Sequence, residues 1–284
     1  MRASVFLAAL LLAACTTLDR PTAGPGPSFA NSGVPDLDGV PDLIVDAKKL
    51  AKSWLIRSEE ASECAVIEGG VSAGTHNVLR FTVTTPNIGD ADVFVGNPLD
   101  HVAANDGMFE FALCHNHFHF RHYATYELVS LQTGTVLLAA KRGFCMIDIA
   151  QASGGPPGGK RTYSFCGNRS VPGFQGISVG WADSYNRVLD GQFFVLDEPA
   201  SPVPPGDYLI RITVNPPFVC GADDAARPRD PNGMCHMFAE SDYSNNIGEA
   251  MVTIPADVNH SSGPGLAEGL TEEELTAIKT KTQH

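Results

Sequence analysis

The chain has 284 residues, of which 43% are hydrophobic and 18% are charged, so it is long enough to bury a substantial core in one large domain or two. Its formal net charge of −13 at pH 7 argues against nucleic acid as a partner, because phosphates require a basic face. The same charge is compatible with cationic amine substrates, but the solubility that an acidic surface gives explains it equally well. With 28 glycines and 20 prolines, the composition favours short strands joined by many turns.

The first 14 residues have the features of a lipoprotein signal peptide. Arg2 supplies a positive start, and the apolar run that follows is too short to span a bilayer as a permanent helix. Residues 12–15, Leu-Ala-Ala-Cys, resemble a bacterial lipobox. This resemblance implies cleavage before Cys15, a lipid on its sulfur, and an extracytoplasmic protein anchored to a cell-envelope membrane. An ordinary secretory signal with an incidental cysteine is the alternative.

The rest of the chain divides into three predicted parts. Residues 15–36 are rich in Pro, Gly and Ser and are predicted to form a flexible tether. Residues 37–256 carry the apolar segments of a folded domain. Residues 257–284 form a polar tail, in which a capping box beginning at Thr271 predicts a short exposed helix.

The folded domain is predicted to be all-β, with a sandwich-like arrangement and long functional loops. Alternating apolar and polar residues, and apolar runs bounded by Gly, Pro and Asn, are typical of strands. A turn at Thr133-Gly134 predicts a hairpin that brings Lys141 close to the histidine-containing strand. The predicted strands cover residues 41–45, 79–84, 115–128, 136–140, 192–196, 208–214 and 251–254.

Three histidines at alternate positions, His115, His117 and His119, are the most informative pattern in the chain. On a β-strand they share one face, which predicts a platform of three imidazole nitrogens. Three protein ligands leave a coordination position open, so the pattern indicates a catalytic metal more than a structural one. Its spacing does not choose between copper and zinc. A polar strand face whose histidines only form hydrogen bonds is the alternative.

The cysteine count predicts disulfides in an exported protein. Without Cys15 the number is even, which indicates three disulfides with fifteen possible pairings. The sequence contains no Cys-x-x-Cys motif, so a cysteine zinc site is not expected. The six cysteines are Cys64, Cys114, Cys145, Cys166, Cys220 and Cys235.

A series of motifs resembles the lysyl oxidase family over about residues 40–255. The first is Cys-His-x-His-aromatic-His, the second is Lys-x-x-Phe-Cys-x-x-Asp, and the third is Asp-x-Tyr after a Gly-rich segment. Motifs in the expected order are a more specific signal than the histidine triplet alone. The matching segments lie at residues 114–119, 141–148, 183–185, 205–216 and 240–246.

The resemblance implies a copper- and quinone-dependent amine oxidase. Copper is expected on the three histidines, and a lysine tyrosylquinone is expected from Lys141 and Tyr185. Such an enzyme oxidises a primary amine with dioxygen and releases an aldehyde, hydrogen peroxide and ammonia. Peptidyl lysine is the implied substrate, and small diamines stay open because the catalytic region lacks appended recognition domains.

The resemblance also implies roles for residues around this centre. Asp183 is a candidate for the base that removes the substrate proton or for orienting a neighbour, whereas a surface carboxylate at a turn is the alternative. Two disulfides are implied, Cys64 with Cys114 and Cys145 with Cys166. The remaining pair, Cys220 with Cys235, then closes a local loop.

The family resemblance also implies a candidate calcium site. In related enzymes the oxygen-rich run near the end of the domain binds calcium together with a segment near its start, and oxygen ligands suit this ion. A plain polar turn is the alternative. The candidate ligands are Asp42, the Leu43 carbonyl, Glu240, Asp242, Asn245 and Asn246.

Two other classes of protein are compatible with the histidine triplet. One is a copper-binding envelope lipoprotein that makes no quinone, which peroxide release on adding a primary amine would distinguish from the oxidase. The other is a zinc hydrolase, which would be active without dioxygen. The hydrolase is disfavoured because the sequence shows no evident glutamate near the histidines to act as general base.

Overall fold

A computed structural model describes residues 35–153, 155–159, 161–267 and 275 of the chain. The predicted signal peptide, the lipidated Cys15 and nearly all of the predicted tether lie outside these residues. The predicted C-terminal helix also lies outside them, apart from Leu275. These features stay predictions.

Short strands dominate the described part of the chain, and short helices connect some of them. The helices are α1 (Ala47–Ser53), α2 (Glu63–Ile67) and α3 (Pro98–Ala104), with 3-10 turns at Ala222–Asp224 and Pro264–Leu266. The strands are β1 (Leu55–Glu60), β2 (Thr75–Arg80), β3 (Val83–Pro86), β4 (Val93–Gly96), β5 (Phe109–Ala112), β6 (His117–Phe120), β7 (Ala124–Ser130), β8 (Val136–Leu138), β9 (Ala150–Gln151), β10 (Gln175–Ile177), β11 (Trp181–Tyr185), β12 (Phe193–Val195), β13 (Gly206–Val214) and β14 (Ile247–Ile254).

The strands form several small antiparallel sheets, and within the described residues none of them closes into a barrel. The largest sheet has the order β14-β13-β7-β8, and β13 pairs with β14 from Gly206 opposite Ile254 to Thr213 opposite Ile247. Burial alternates along β14, as the period-2 pattern of its sequence requires when one face packs on the core. The prediction of an all-β domain is confirmed.

The core contains an aromatic cluster centred on Phe144. The Phe144 ring makes edge contacts with the rings of Tyr123, Tyr126 and Tyr185, at centroid distances of 5.4, 5.1 and 5.2 Å. Such edge-to-face pairs stabilise more than their buried area alone. Because Phe144 follows Lys141 by three residues, the core anchors the loop that carries this lysine.

The later strands and the hairpin agree with the predictions, and two earlier strand predictions are wrong. Residues 41–45 make an isolated bridge from Leu43 to Asn87 instead of a regular strand, since Asp46 already caps α1 by accepting the Lys49 N–H. Residues 79–84 divide between two sheets, because β2 pairs with β1 and β12 while β3 pairs with β11.

The three helices were not predicted, because each has only five to seven residues. An amphipathic period needs a window of about eleven residues or more to be recognised. In the part of the chain that the structure describes, no helix combines the length and apolar character needed to cross a bilayer.

Three disulfides join Cys64 to Cys114, Cys145 to Cys166 and Cys220 to Cys235. The first two are the pairs that the family resemblance implied, and the third is the pair that remained, so all three agree with the prediction. Cys64 and Cys114 are 50 residues apart in sequence, and their bond ties α2 to the residue directly before His115.

Candidate metal and cofactor site

The histidine motif forms a turn followed by a short strand. β6 begins at His117, and Asn116 adopts a left-handed φ of 51°, which interrupts the extended backbone before it. His115 therefore lies in the turn. The predicted strand over residues 115–128 is wrong, because the chain also turns after β6 and continues as β7 in a different sheet.

The three imidazole rings nevertheless converge. The ring centroids are 5.6 Å apart for His115 and His117, 5.3 Å for His115 and His119, and 4.9 Å for His117 and His119. Alternation along β6 puts His117 and His119 on one face, and the turn folds His115 back beside them. All three side chains are buried. Three neutral imidazoles are a donor set suited to copper or zinc.

The environment of His115 favours its neutral form. Burial lowers the pKa of His115, and the positive charge of Lys141 lowers it further, while Glu68 opposes both effects. Because a metal binds the neutral imidazole, the lowered pKa suits a ligand role at neutral pH.

Glu68 is the residue of this centre that the sequence did not reveal. Its Oε2 lies 2.7 Å from His115 Nδ1, and its Oε1 accepts the Cys114 N–H at 3.0 Å. The expectation that no glutamate lies near the histidines is therefore wrong. The implied Cys64–Cys114 disulfide could have indicated Glu68. Cys64 and Glu68 are four residues apart and share one helix face, so a bond from Cys64 to Cys114 brings Glu68 close to His115.

His119 packs directly against the backbone of Gly143. A Cβ atom at residue 143 would overlap the His119 imidazole, so a glycine is needed here for close approach. Gly143 belongs to the segment between Lys141 and the core residue Phe144. The packing therefore couples the position of one histidine to the loop that carries the lysine.

We expect Gly143→Ala to displace His119, destabilise the fold by about 1–3 kcal/mol through overpacking, and weaken copper binding by about tenfold or more. Thermal unfolding and a chelator competition titration measure the two effects. Gly221→Ala is the matched control, because Gly221 is exposed and the nearest atom to a Cβ added there is the flexible Asp224 carboxylate at 3.3 Å. Equal copper affinity in both variants would contradict this account of His119.

Lys141 and Tyr185 meet beside the histidines. The β7–β8 hairpin delivers Lys141 to this place, as predicted, and its Nζ lies 5.6 Å from the centroid of the Tyr185 ring. The Tyr185 hydroxyl donates to the Cys145 carbonyl at 2.9 Å and accepts the Cys145 N–H. Burial, followed by the negative charge of Asp183, raises the pKa of Tyr185 well above its ordinary value. The ring is thus held as a neutral phenol.

Two neighbouring cavities lie beside these residues. A small cavity of about 20 Å³ lies among the three histidines, Lys141 and Tyr185, which is room for about one water or ion. A larger cavity of about 270 Å³ adjoins it and is open to the surface. The residues that line both are His115, His119, Lys141 and Asp190.

The acidic residues of the site are arranged differently from the prediction. Asp183 is fully buried in β11, where it accepts the Ser184 N–H at 2.8 Å, so it is not a surface carboxylate. Among the described residues that line the two cavities, the carboxylate shared by both is Asp190. A ligand oxygen of Asp190 lies within 4.8 Å of a His115 nitrogen. Asp190 therefore borders both cavities, whereas Asp183 is not among the residues that line them.

Five of the six candidate calcium-binding residues lie together, where the start of the domain meets residues 240–246. Asp42 and Glu240 are buried carboxylates; Asn245 donates to Asp42 at 2.9 Å and Asn246 donates to Glu240 at 2.7 Å. The Leu43 N–H also donates to Glu240, at 2.6 Å. The Asp242 side chain instead accepts bonds from Ser244 and is exposed.

The electrostatics of this cluster favour an added cation. Burial raises the pKa of Glu240 to about 7, and the negative charge of Asp42 contributes. The Oδ1 atoms of Asn245 and Asn246 are buried and accept no hydrogen bond from the described residues. Two buried amide oxygens and two buried carboxylates fit the ligand preference of Ca²⁺.

The fold and the site together define an all-β protein with a buried cluster of three histidines next to a paired lysine and tyrosine. The family model described as lysyl oxidase matches residues 45–229, so the chain belongs to the lysyl oxidase family.

Individual relatives show the same similarity. Lysyl oxidase homolog 4 of Mus musculus is 28% identical over 234 residues, which cover 78% of this chain and 26% of the relative. Lysyl oxidase homolog 2 of Homo sapiens is 29% identical over 228 residues, which cover 76% of this chain and 25% of the relative. The chain thus spans about a quarter of the length of these curated relatives.

Proposed function

We propose that the protein is a copper- and lysine tyrosylquinone-dependent amine oxidase. The observation that carries this proposal is the placement of the Lys141 amino group 5.6 Å from the Tyr185 ring, in a cavity that the three histidines also line. A copper-binding protein without a quinone has no need for this pair. Family membership supports the same activity.

The residues present fit a copper ion and its organic cofactor. His115, His117 and His119 would hold copper, because their rings converge and the neutral form of His115 is favoured. Lys141 and Tyr185 would supply the atoms of the quinone. When present, copper supplies electron transfer between the tyrosine ring and dioxygen, and the quinone supplies an electrophilic carbonyl for a primary amine.

The chain itself positions the reacting groups. Hydrogen bonds between the Tyr185 hydroxyl and the Cys145 backbone, together with the contact with Phe144, fix the tyrosine ring. Gly143 lets the lysine loop pass close to His119. Asp190 lines both cavities and is placed to accept the proton removed from the carbon next to the substrate nitrogen.

The larger cavity supports a substrate with an amine on a flexible arm. Its volume of about 270 Å³ is at the low end for ligand pockets, so it suits a lysine side chain or a short diamine. Its lining has three carboxylates, on Glu68, Glu110 and Asp190, and two cationic side chains, on Lys141 and Arg142, so the carboxylates outnumber the cations and favour a cationic group. The exposed Ile67 and Leu113 can pack against methylene carbons. Peptidyl lysine is our proposed substrate, with small diamines as the competing one.

Mass spectrometry of copper-loaded, aerobically matured protein tests the proposal. We expect one cross-linked species containing the peptides of Lys141 and Tyr185, with the mass change of an oxidised adduct, and peroxide release when a primary amine is added. Two unmodified peptides in copper-replete protein would contradict the oxidase and favour the copper-binding lipoprotein.

We also propose that the protein works outside the cytoplasm, attached to a bacterial cell-envelope membrane through a lipid on Cys15. The three disulfides support an oxidising compartment. Metabolic labelling with a radioactive fatty acid tests the anchor, because Cys15→Ala should lose the label. Equal labelling of the variant would rule out this site.

We further propose that calcium binds the cluster around Asp42 and Glu240. Calcium at about 100 times its dissociation constant should stabilise the fold by about 2.7 kcal/mol and raise the melting temperature by roughly 5–10 °C. Asn245→Ala should remove this gain, because it deletes a buried ligand oxygen. Asn259→Ala, at an exposed turn, should keep it. No calcium-dependent shift in the parent protein would contradict the site.

A further inference from the structure

The three histidines are not held in the same way. His117 and His119 belong to β6, where pairing with Ala112 and Glu110 of β5 fixes their backbone. His115 lies outside this strand, before the left-handed Asn116. Its ring must therefore be positioned by contacts other than strand pairing.

Glu68 provides those contacts with both of its carboxylate oxygens. Oε2 is 2.7 Å from His115 Nδ1, and Oε1 accepts the N–H of Cys114, the preceding residue, at 3.0 Å. One side chain thus fixes both the backbone of the turn and the rotation of the ring. Hydrogen bonds to a charged acceptor are stronger than neutral ones, so this arrangement holds the ring firmly.

The position of Glu68 is itself well defined. Glu68 caps the C-terminal end of α2, and its N–H donates to the Cys64 carbonyl at 2.9 Å. The Ser62 side chain caps the other end of this helix by accepting the Ala65 N–H. The Cys64–Cys114 disulfide joins the helix covalently to the turn. The capped helix and the disulfide therefore fix the position of Glu68 relative to His115.

We propose that Glu68 is a positioning residue for His115 as a metal ligand. It accepts the Nδ1–H of the neutral imidazole, which fixes the tautomer and leaves the Nε2 lone pair for the metal. The negative charge of Glu68 also makes Nε2 a stronger donor. This inference rests on the proposed metal site, and it concerns how one ligand is prepared.

Direct ligation by Glu68 is the competing arrangement. Glu68, His115 and His119 each have one possible ligand atom within 4.8 Å of the other two. The Glu68 carboxylate is therefore close enough to bind the same metal ion as the two histidines. However, both Glu68 oxygens already accept hydrogen bonds, from Cys114 and His115. Acting through His115 uses these two bonds as they stand, whereas direct ligation would have to use a second lone pair of a carboxylate that is already held by His115 and Cys114.

Nitrogen-15 NMR of the histidine rings in the metal-free protein tests the tautomer directly. We expect His115 to carry its proton on Nδ1 in the parent protein and to lose this preference in Glu68→Ala. Glu68→Gln keeps a neutral acceptor and should retain the preference in part. The Nε2–H tautomer in the parent protein, or an unchanged tautomer in Glu68→Ala, would overturn the proposal.

Copper titration against a competing chelator supplies the second readout. Loss of such a supporting hydrogen bond typically weakens metal binding 10–100-fold, so we expect this loss in Glu68→Ala and a smaller one in Glu68→Gln. Glu63→Gln is the matched control, because Glu63 is an exposed residue of the same helix and its change removes the same charge. Its copper affinity should equal that of the parent protein.

Electron paramagnetic resonance separates positioning from direct ligation. If Glu68 acts through His115, three histidines stay coordinated to copper in Glu68→Gln. Only the modulation of the electron spin echo by the uncoordinated ring nitrogen of one histidine changes. If the copper spectrum of Glu68→Gln instead shows that an oxygen ligand has been lost, Glu68 binds copper directly and the proposal is overturned. Failure of the parent protein to bind copper would instead contradict the metal site itself, whatever the NMR shows about Glu68.

Discussion

Replacing Lys141 with alanine should abolish amine oxidation while copper binding persists. The lysine amino group becomes part of the proposed cofactor, and the methyl group of alanine cannot replace it. We expect turnover to fall by about 10⁴-fold or more, the scale of losing a covalent catalytic group. Copper binding should persist, because Lys141 is not one of the three proposed ligands and its positive charge repels a nearby cation.

Peroxide release on addition of a primary amine measures the turnover, and the absorbance of a phenylhydrazine adduct measures the quinone. Lys52→Ala is the control, since Lys52 is an exposed lysine on α1. It should retain both signals. Residual amine oxidation by Lys141→Ala at more than a few per cent of the parent rate would refute the assignment of Lys141 to the cofactor.

Most residues of the candidate site could be picked out from the sequence because they belong to local patterns. The alternation of His117 and His119 survives in β6, and the turn at Thr133-Gly134 forms the hairpin that delivers Lys141. The strands β13 and β14 also follow their apolar alternation. In each case one short segment contains the whole signal.

The parts that were missed depend on contacts between distant segments or on backbone geometry. Glu68 reaches His115 across 47 residues, and no periodicity of the sequence encodes that distance. The left-handed Asn116 breaks a pattern that looks like a continuous strand. Asp190 becomes a cavity residue only through the packing of its loop beside the histidines. Side-chain type alone could not separate Asp190 from the buried Asp183.

The glutamate beside the histidines also bears on the zinc hydrolase alternative. That alternative was disfavoured for want of a nearby general base, and the structure removes this objection by placing Glu68 next to His115. The proximity of Lys141 to Tyr185 still disfavours a hydrolase, because hydrolysis does not require this pair.

Removing the Cys64–Cys114 disulfide should reduce both the stability of the fold and the affinity for copper. Chain-entropy arguments give about 4 kcal/mol for a loop of this length, whose ends are 50 residues apart. The double variant Cys64→Ser/Cys114→Ser also releases the turn that contains His115 from α2. The position of Glu68 relative to the His115 ring is then no longer fixed by a covalent bond. We expect copper binding to weaken by about tenfold or more, as for a lost supporting contact.

The Cys220–Cys235 disulfide is a matched control for this experiment. Its ends are 15 residues apart, so its removal should cost about 3 kcal/mol, nearly as much stability. Neither cysteine lines the cavities among the histidines, in so far as the described residues show. The double variant Cys220→Ser/Cys235→Ser should therefore keep its copper affinity at a temperature where it stays folded. Equal loss of copper affinity in both double variants would mean that general destabilisation, and not release of the His115 turn, controls the metal site.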